Sequence, residues 1–384
     1  VAGAINKDGD IEVHGVSSML HRQSLYKVDS SHSMSISERE KRNETSKSRL
    51  ITNAVLQRQR ESFIFGNPRS RVTTTIDFDG VDPELAMHLI ELHFNRTHYS
   101  YLFTYRPAII DGIINNGPYC NKILLNAIYV SSSLYSDRAE LRANVADQKL
   151  AGERFYERLR ALLVDQIDKP SIPTAVGLLL CGAALATSGR SSAGWIHCGI
   201  AYRMIIDLGC HLAVETRRSG LRNDMELLTD IEIEIRKRLY WGAFLTDSTQ
   251  SLYFGRPPCL RASQARVPQL LLDTYEEMEA WSPYIDPVAS PAAMAYRPHP
   301  AYAVSTFNAN VRLFEISSRL IHAFYSIRSL KHSSRHIRAM KAAIASDLNR
   351  WRNSLPHHLC FSPENGDPTP PPHQMIPLYD IKIE

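Results

Sequence analysis

Two short segments carry the side chains best suited to chemistry. His197-Cys198 and Cys210-His211 offer imidazole and thiolate donors, the ligand types that zinc accepts. The residues between them read as one helix, and twelve helical positions rise roughly 18 Å. Zinc holds its ligands at about 2.0 to 2.3 Å, so the two pairs are expected to serve packing rather than one metal. Asp247-Ser248 sets a carboxylate beside a hydroxyl. The expectation there is a helix-end hydrogen bond or a salt bridge to a base such as Arg256. No GxSxG elbow and no recognisable catalytic cysteine setting occurs, and neither GxxxxGK[ST] nor GxGxxG is present to cradle a phosphate. The chain is therefore expected not to be an enzyme. The aromatic and arginine residues from Trp241 to Arg256 could stack nucleic-acid bases, but Leu239, Ala243 and Leu245 share their helix and its phase indicates core.

These groups must be positioned by helices. Asp82-Pro83 reads as a cap and first-turn pair before Leu85, Leu89 and Leu92. Asn121–Tyr135 places Ile123, Leu124, Ala127 and Ile128 on one face, and Glu153–Leu163 does so with Phe155, Leu159, Leu162 and Leu163. The apolar run AVGLLLCGAALA, from Ala175 to Ala186, demands a helix buried on most sides. It is too short to span a bilayer, and no signal peptide opens the chain. A further helix covers Gly194–Leu208 and stops at Gly209. Another begins near Thr229 or Asp230, where Glu232/Arg236 and Glu234/Arg238 form i,i+4 pairs of the kind that support exposed faces. It turns aromatic and ends at Gly255-Arg256-Pro257-Pro258. Five prolines from Pro283 to Pro300 mark an irregular segment. The stripes Leu313/Ile316/Leu320/Phe324/Ile327 and Ile337/Met340/Ile344/Leu348/Trp351 then predict an antiparallel helix pair. Only Val72–Phe78 (VTTTIDF) shows a β-branched run, and it lacks a hairpin partner. The fold class is all-α.

The chain has 384 residues, 44% of them hydrophobic and 22% charged, the balance of a folded protein with a large core. Its six cysteines are scattered, with no CxxC, which suits reduced thiols better than a disulfide framework. The net charge of +4 is uneven: residues 21–71 hold eleven Lys/Arg against five Asp/Glu. Residues 1–75 are accordingly expected to be a disordered, basic, Ser-rich linker with a short helix at Leu50–Glu61. Residues 76–361 form the helical body, and residues 362–384 a Pro-rich irregular tail. The chain opens without Met and ends abruptly, so it is taken as a fragment.

The segment GWIHCGIAYRMIIDLGCHLA, followed by EIEIRKRLYWGAFLTDSTQSLYFGRPPCL, resembles the regulatory middle region of fungal zinc-cluster (Zn2Cys6) transcription factors. The residues that carry the likeness are Trp195, Ala201, Arg203, Asp207, Leu208, Gly209 and His211, then Arg236, Arg238, Tyr240, Trp241, Asp247, Gly255, Arg256 and Pro257. HYSYLFTYRPAII and LNRWRNSLPHHL extend it to roughly Phe78–Leu359. Cys210 stands where the family usually has Leu, and Ser248 where a base is commoner. The end of the second segment is further similar to regulators of nitrate assimilation. The resemblance implies an all-helical regulatory domain of a nuclear factor that controls RNA polymerase II transcription of metabolic genes. It implies DNA and zinc contacts only through an N-terminal six-cysteine cluster missing from this chain, so no cofactor is expected here. Partners would be transcriptional coregulators, with room for a small-molecule effector and a homodimer, and no membrane. The competing reading is a stand-alone interaction or effector-sensing module without direct DNA binding.

Overall fold

The computed structural model describes residues 2–5, 11–14, 35–66, 75–142, 151–213, 228–286, 296–324, 333–360 and 370–374, the first two ranges as backbone alone. Strands β1 (Ala2–Ile5) and β2 (Ile11–His14) pair antiparallel, Ala2 opposite His14. Helix α1 covers Ile36–Phe65. Then come α2 (Pro83–Leu92), a π-helical turn at His93–Thr97, and the short α3 (His98–Tyr101). Helices α4 (Arg106–Asn115), α5 (Lys122–Ser133), α6 (Glu153–Leu163), α7 (Ile172–Thr187) and α8 (Ser191–Asp207) follow. The long α9 spans Asp230–Phe254 and the one-turn α10 Tyr275–Met278. Strands β3 (Ala280–Trp281) and β4 (His299–Pro300) pair antiparallel. Helices α11 (Ala303–Phe324) and α12 (Ser334–Asn353) complete the order. The all-α class holds. Of the β-branched run, residues 72–74 lie outside the described residues, and residues 75–78 form no strand.

Side-chain caps start the helices where the sequence placed them. Asp82 accepts the Glu84 and Leu85 amides at 3.0 and 3.3 Å, Asn121 the Leu124 amide at 2.9 Å, and Thr229 the Glu232 amide at 3.1 Å. Each offsets donors that the first helical turn leaves unpaired. Helix α7 is buried almost continuously from Pro173 to Leu185 and packs between α5 and α8. A buried leucine contributes about 1.5 to 3 kcal/mol, and Leu178, Leu179 and Leu180 all lie in the main core. The α11/α12 pair encloses a second cluster of Leu313, Ile316, Leu320, Ile344 and Trp351. Trp351 Nε1 donates to the Ala309 carbonyl there at 2.9 Å. Ile327, the last position of the first stripe, lies outside the described residues.

Two regions differ from the sequence reading. Within the stretch expected to be linker, residues 36–65 form one helix. Ser35 and Glu38 make a reciprocal capping box at its start. Its buried stripe runs Ser46, Leu50, Ala54, Glu61, Ile64 and Phe65, and the polar Ser46 and Glu61 interrupt what hydrophobic periodicity alone can detect. Within the tail, residues 370–374 return to the body. Gln374 Nε2 donates to the Pro300 and Ala301 carbonyls, and His373 stacks on Tyr99.

Candidate functional site

Of the two ion pairs expected on an exposed face of α9, Glu234/Arg238 is buried within the protein instead, and Glu232/Arg236 is partly buried. Glu234 and Arg238 are each 0% exposed, because the loop at residues 270–276 covers that face of α9. Arg238 Nη1 donates to Glu276 Oε2 at 2.8 Å, Nη2 to the Asp273 carbonyl at 2.9 Å and Nε to Glu234 Oε1 at 3.4 Å. Its guanidinium lies 5.0 Å from the Tyr105 ring centre. Burial works against its charge, but Glu276, Glu234 and Asp273 outweigh it and raise the pKa. Glu234 also accepts the Leu272 and Asp273 amides and the Lys237 ammonium, the last at 2.8 Å.

On the far side, Glu276 Oε1 meets His98 Nε2 at 2.6 Å, and His98 Nδ1 meets Thr104 Oγ1 at 2.8 Å. His93 Nε2 reaches the same hydroxyl at 3.2 Å. The π turn makes this convergence: the His98 amide donates to the His93 carbonyl, so residues five apart lie above one another rather than diverging as in an α-helix. Burial opposes the Glu276 charge, yet His98 and Arg238 hold its carboxyl well below the usual range. Burial likewise lowers the His93 imidazole, helped by His98 and Arg106. Tyr105 donates to Asp273 Oδ2 at 2.6 Å.

Several other residues of the likeness fasten α8, α9 and the loops after them. Arg236 Nη1 donates to the Leu208 carbonyl at 2.6 Å and pairs with Glu232, so it caps the end of α8. Gly209 and Gly255 take φ values of +70° and +64° at the two helix ends, a region open to glycine at no steric cost. The His211 carbonyl accepts the Arg266 and Val267 amides at 2.8 and 3.1 Å, so its backbone rather than its ring joins the loops. Trp241 is buried and its Nε1 donates to the Pro268 carbonyl at 3.2 Å, which removes it from any base-stacking surface. Arg203 and Asp207 remain exposed on α8, outside the buried network.

Asp247 takes the hydrogen bond of its two expected alternatives, not the salt bridge. Its Oδ2 accepts the Cys259 and Leu260 amides at 2.7 and 2.6 Å, fixing the loop that follows Pro257. Arg256 instead lies over the Trp195 and Phe254 rings at 5.1 and 5.0 Å. Burial pushes the Asp247 carboxyl up to about 6, with the two amides opposing.

Sequence reasoning missed the second charged layer, where α1 meets the body. Glu61 is 1% exposed and accepts Arg106 Nε and Nη2 at 3.0 and 2.9 Å. Arg58 donates to Glu279 at 3.0 Å. A glutamate in a basic Ser-rich stretch gives no local sign of this, although the Arg106 it meets lies within HYSYLFTYRPAII. Also missed was a Ser-His-Asp arrangement: His88 Nε2 meets Ser136 Oγ at 2.8 Å, and its Nδ1 lies 2.9 Å from Tyr284 Oη and 3.7 Å from Asp286 Oδ2. Ser136 is 2% exposed, and Arg138 holds Asp286 with two hydrogen bonds. Burial, with Arg138, lowers His88 to about 4, a poor match for general-base work near neutrality. The cluster ties residues 284–286 to α2.

Among the described residues no group of three or more His, Cys, Asp or Glu could hold a metal ion. His197 Nδ1 bonds the Ala193 carbonyl of its own helix. All six cysteines are free, and burial pushes the Cys120 and Cys198 thiols to about 12 and Cys210 to about 11. The six-cysteine cluster that the resemblance implies needs closely grouped thiolates, and the described cysteines are not grouped with other donors in that way.

Comparison with known proteins gives one family. The model described as the fungal specific transcription factor domain matches residues 90–353. The nitrogen assimilation transcription factor nit-4 of Neurospora crassa is 29% identical over 300 residues, covering 74% of this chain and 26% of that protein. The nitrogen assimilation transcription factor nirA of Emericella nidulans is 28% identical over 297 residues, covering 76% and 31%. The activatory protein CHA4 of Saccharomyces cerevisiae is 25% identical over 276 residues, covering 67% and 39%. The chain thus spans between about a quarter and two fifths of the length of these relatives. No solved structure matches.

Proposed function

Because this chain belongs to the fungal specific transcription factor domain family, we propose that it is the regulatory middle region of a zinc-cluster factor controlling RNA polymerase II transcription. The observation that carries this reading is the family match across the folded body, residues 90–353. The geometry agrees, since the buried charges join helices to one another rather than opening on a substrate. In this reading the chain is not an enzyme and works in the nucleus. DNA is reached through a zinc cluster N-terminal to the body, and coregulators are the protein partners. The likeness to nit-4 and nirA supports nitrogen-assimilation genes as the targets. The regulatory body is taken to begin with α1, because Glu61 anchors that helix to Arg106.

The test is to tether the 384-residue chain to a heterologous DNA-binding domain upstream of a reporter in a fungal host. A change in reporter output that Arg238→Met abolishes at equal protein level is the expected result. Output equal to that of the DNA-binding domain alone, with the chain folded, would favour a stand-alone interaction module.

A further inference from the structure

Residues 370–374 lie on the body as a peptide ligand lies in a groove. The floor is the corner where β4 passes into α11. The Ala301 and Tyr302 amides donate there to the Glu279 and Glu277 carbonyls at 2.8 and 2.9 Å. Tyr302 takes a φ of +46°, a left-handed conformation that is costly for a bulky residue and that clusters at binding sites and switches. One wall is aromatic. The His373 ring stacks on Tyr99 of α3 at 4.5 Å and meets Trp281 of β3 edge-on at 5.9 Å. Its Nε2 donates to the Ala301 carbonyl at 2.7 Å, and Gln374 Nε2 donates to the Pro300 and Ala301 carbonyls at 2.8 and 2.9 Å. Gln374 is 6% exposed. Pro371 is buried ahead of it, and the Gln374 amide bonds within the segment to the Pro371 carbonyl at 3.0 Å.

We propose that this groove recognises short proline-rich segments that end in side-chain N–H donors, and that such a segment of a partner protein takes the place of residues 370–374. Consecutive prolines restrict the chain before it binds, which is why aromatic-lined grooves select them. The Pro300 and Ala301 carbonyls set the second requirement. An apolar or acidic side chain in place of Gln374 would leave buried acceptors without a donor, which is penalised. The hydrogen bonds to the body come from two side chains, His373 and Gln374, so any polypeptide carrying the same short pattern can make them. Tethering gives the chain's own segment an effective concentration on the order of millimolar. Residues 370–374 are therefore a built-in competitor that sets the affinity a partner must exceed. This inference stands apart from the transcriptional reading and uses none of its evidence.

The experiment titrates the capped peptide TPPPHQM, the sequence of residues 369–375, into the purified 384-residue chain and into its His373→Ala/Gln374→Ala variant, read by calorimetry. The control peptide is TPPPAAM. Saturable binding to the double variant is expected, with no measurable binding of the control. Affinity for the unchanged chain should be lower by about tenfold or more, equivalent to about 1.4 kcal/mol of competition from the tethered segment. No saturation at several millimolar peptide, equal affinity for the two forms, or equal binding of the control overturns the proposal. So does a double variant that loses its near-ultraviolet circular dichroism, since a segment open to exchange cannot be one that the fold requires. Light scattering tests the other occupant: a dimer of the unchanged chain that the peptide splits would mean that residues 370–374 exchange between copies, which overturns the partner assignment. None of these readouts depends on transcription.

Discussion

Replacing Arg238 with Met keeps most of the side-chain volume and removes one charge from the centre of the protein. Three hydrogen bonds go with it, to Glu276, Glu234 and the Asp273 carbonyl. Removing one partner of a buried ion pair costs about 3 to 5 kcal/mol, because the remaining charge stays desolvated. Here the acids are not left bare. Glu276 keeps His98 at 2.6 Å, and Glu234 keeps Lys237 at 2.8 Å and two backbone amides. The expected loss is therefore near the lower bound, about 3 kcal/mol, still a large share of the roughly 5 to 15 kcal/mol by which proteins are stable. Urea unfolding followed by circular dichroism measures it. A cycle with Glu276→Gln should return a coupling of about 1 kcal/mol or more. Arg238→Lys should recover less than half of the loss, since an ammonium cannot span acceptors on α9, α10 and the loop before it. A loss below about 1 kcal/mol for Arg238→Met, with unchanged denaturant dependence, would refute the reasoning and leave the network a passenger.

Three further outcomes follow from the same geometry. Glu61→Ala strips Arg106 of its bidentate partner, with Glu91 remaining at 3.6 Å. It should cost about 3 to 5 kcal/mol and speed amide exchange along α1 more than along α7. Gly242→Ala would place a methyl 2.5 Å from the Tyr101 carbonyl oxygen and 2.8 Å from Phe103 Cβ. The backbone must move, so a thermal midpoint loss equivalent to about 1 to 3 kcal/mol is expected. Asp247 has a folded pKa raised from 3.8 to about 6, so the native state binds the extra proton between those values and this group's contribution to stability falls as pH rises through about 4 to 6. Asp247→Asn should flatten the stability profile in that window, as measured by urea midpoints at half-unit steps; an unchanged slope would count against a raised carboxyl.

Much of the frame was legible because local chemistry repeats it. Asp82, Asn121 and Thr229 announced helix starts, Gly209 and Gly255 the stops, and the apolar run in α7 had no soluble alternative to burial. The likeness around Trp195–His211 and Arg236–Pro257 identified the family, although it could not say what those residues do. Glu234/Arg238 shows why. Four-residue spacing is identical for a solvated pair and a buried one, and the difference lies in residues 270–276, which fold over α9 from more than thirty positions away.

The sequence by itself thus determined most of the body's helices, their order and the kin of this chain, since capping, periodicity and apolar runs act within a few residues. Only the tertiary structure decided where the charges went. It seated the polar α1 through Glu61 and Arg106, and used a π turn to bring His93 and His98 onto one hydroxyl. It turned Asp247 to the amides of Cys259 and Leu260 rather than to Arg256. The physical reason is that a buried charge needs a partner at hydrogen-bond distance, and nothing in the linear order of residues states which distant group will come within reach.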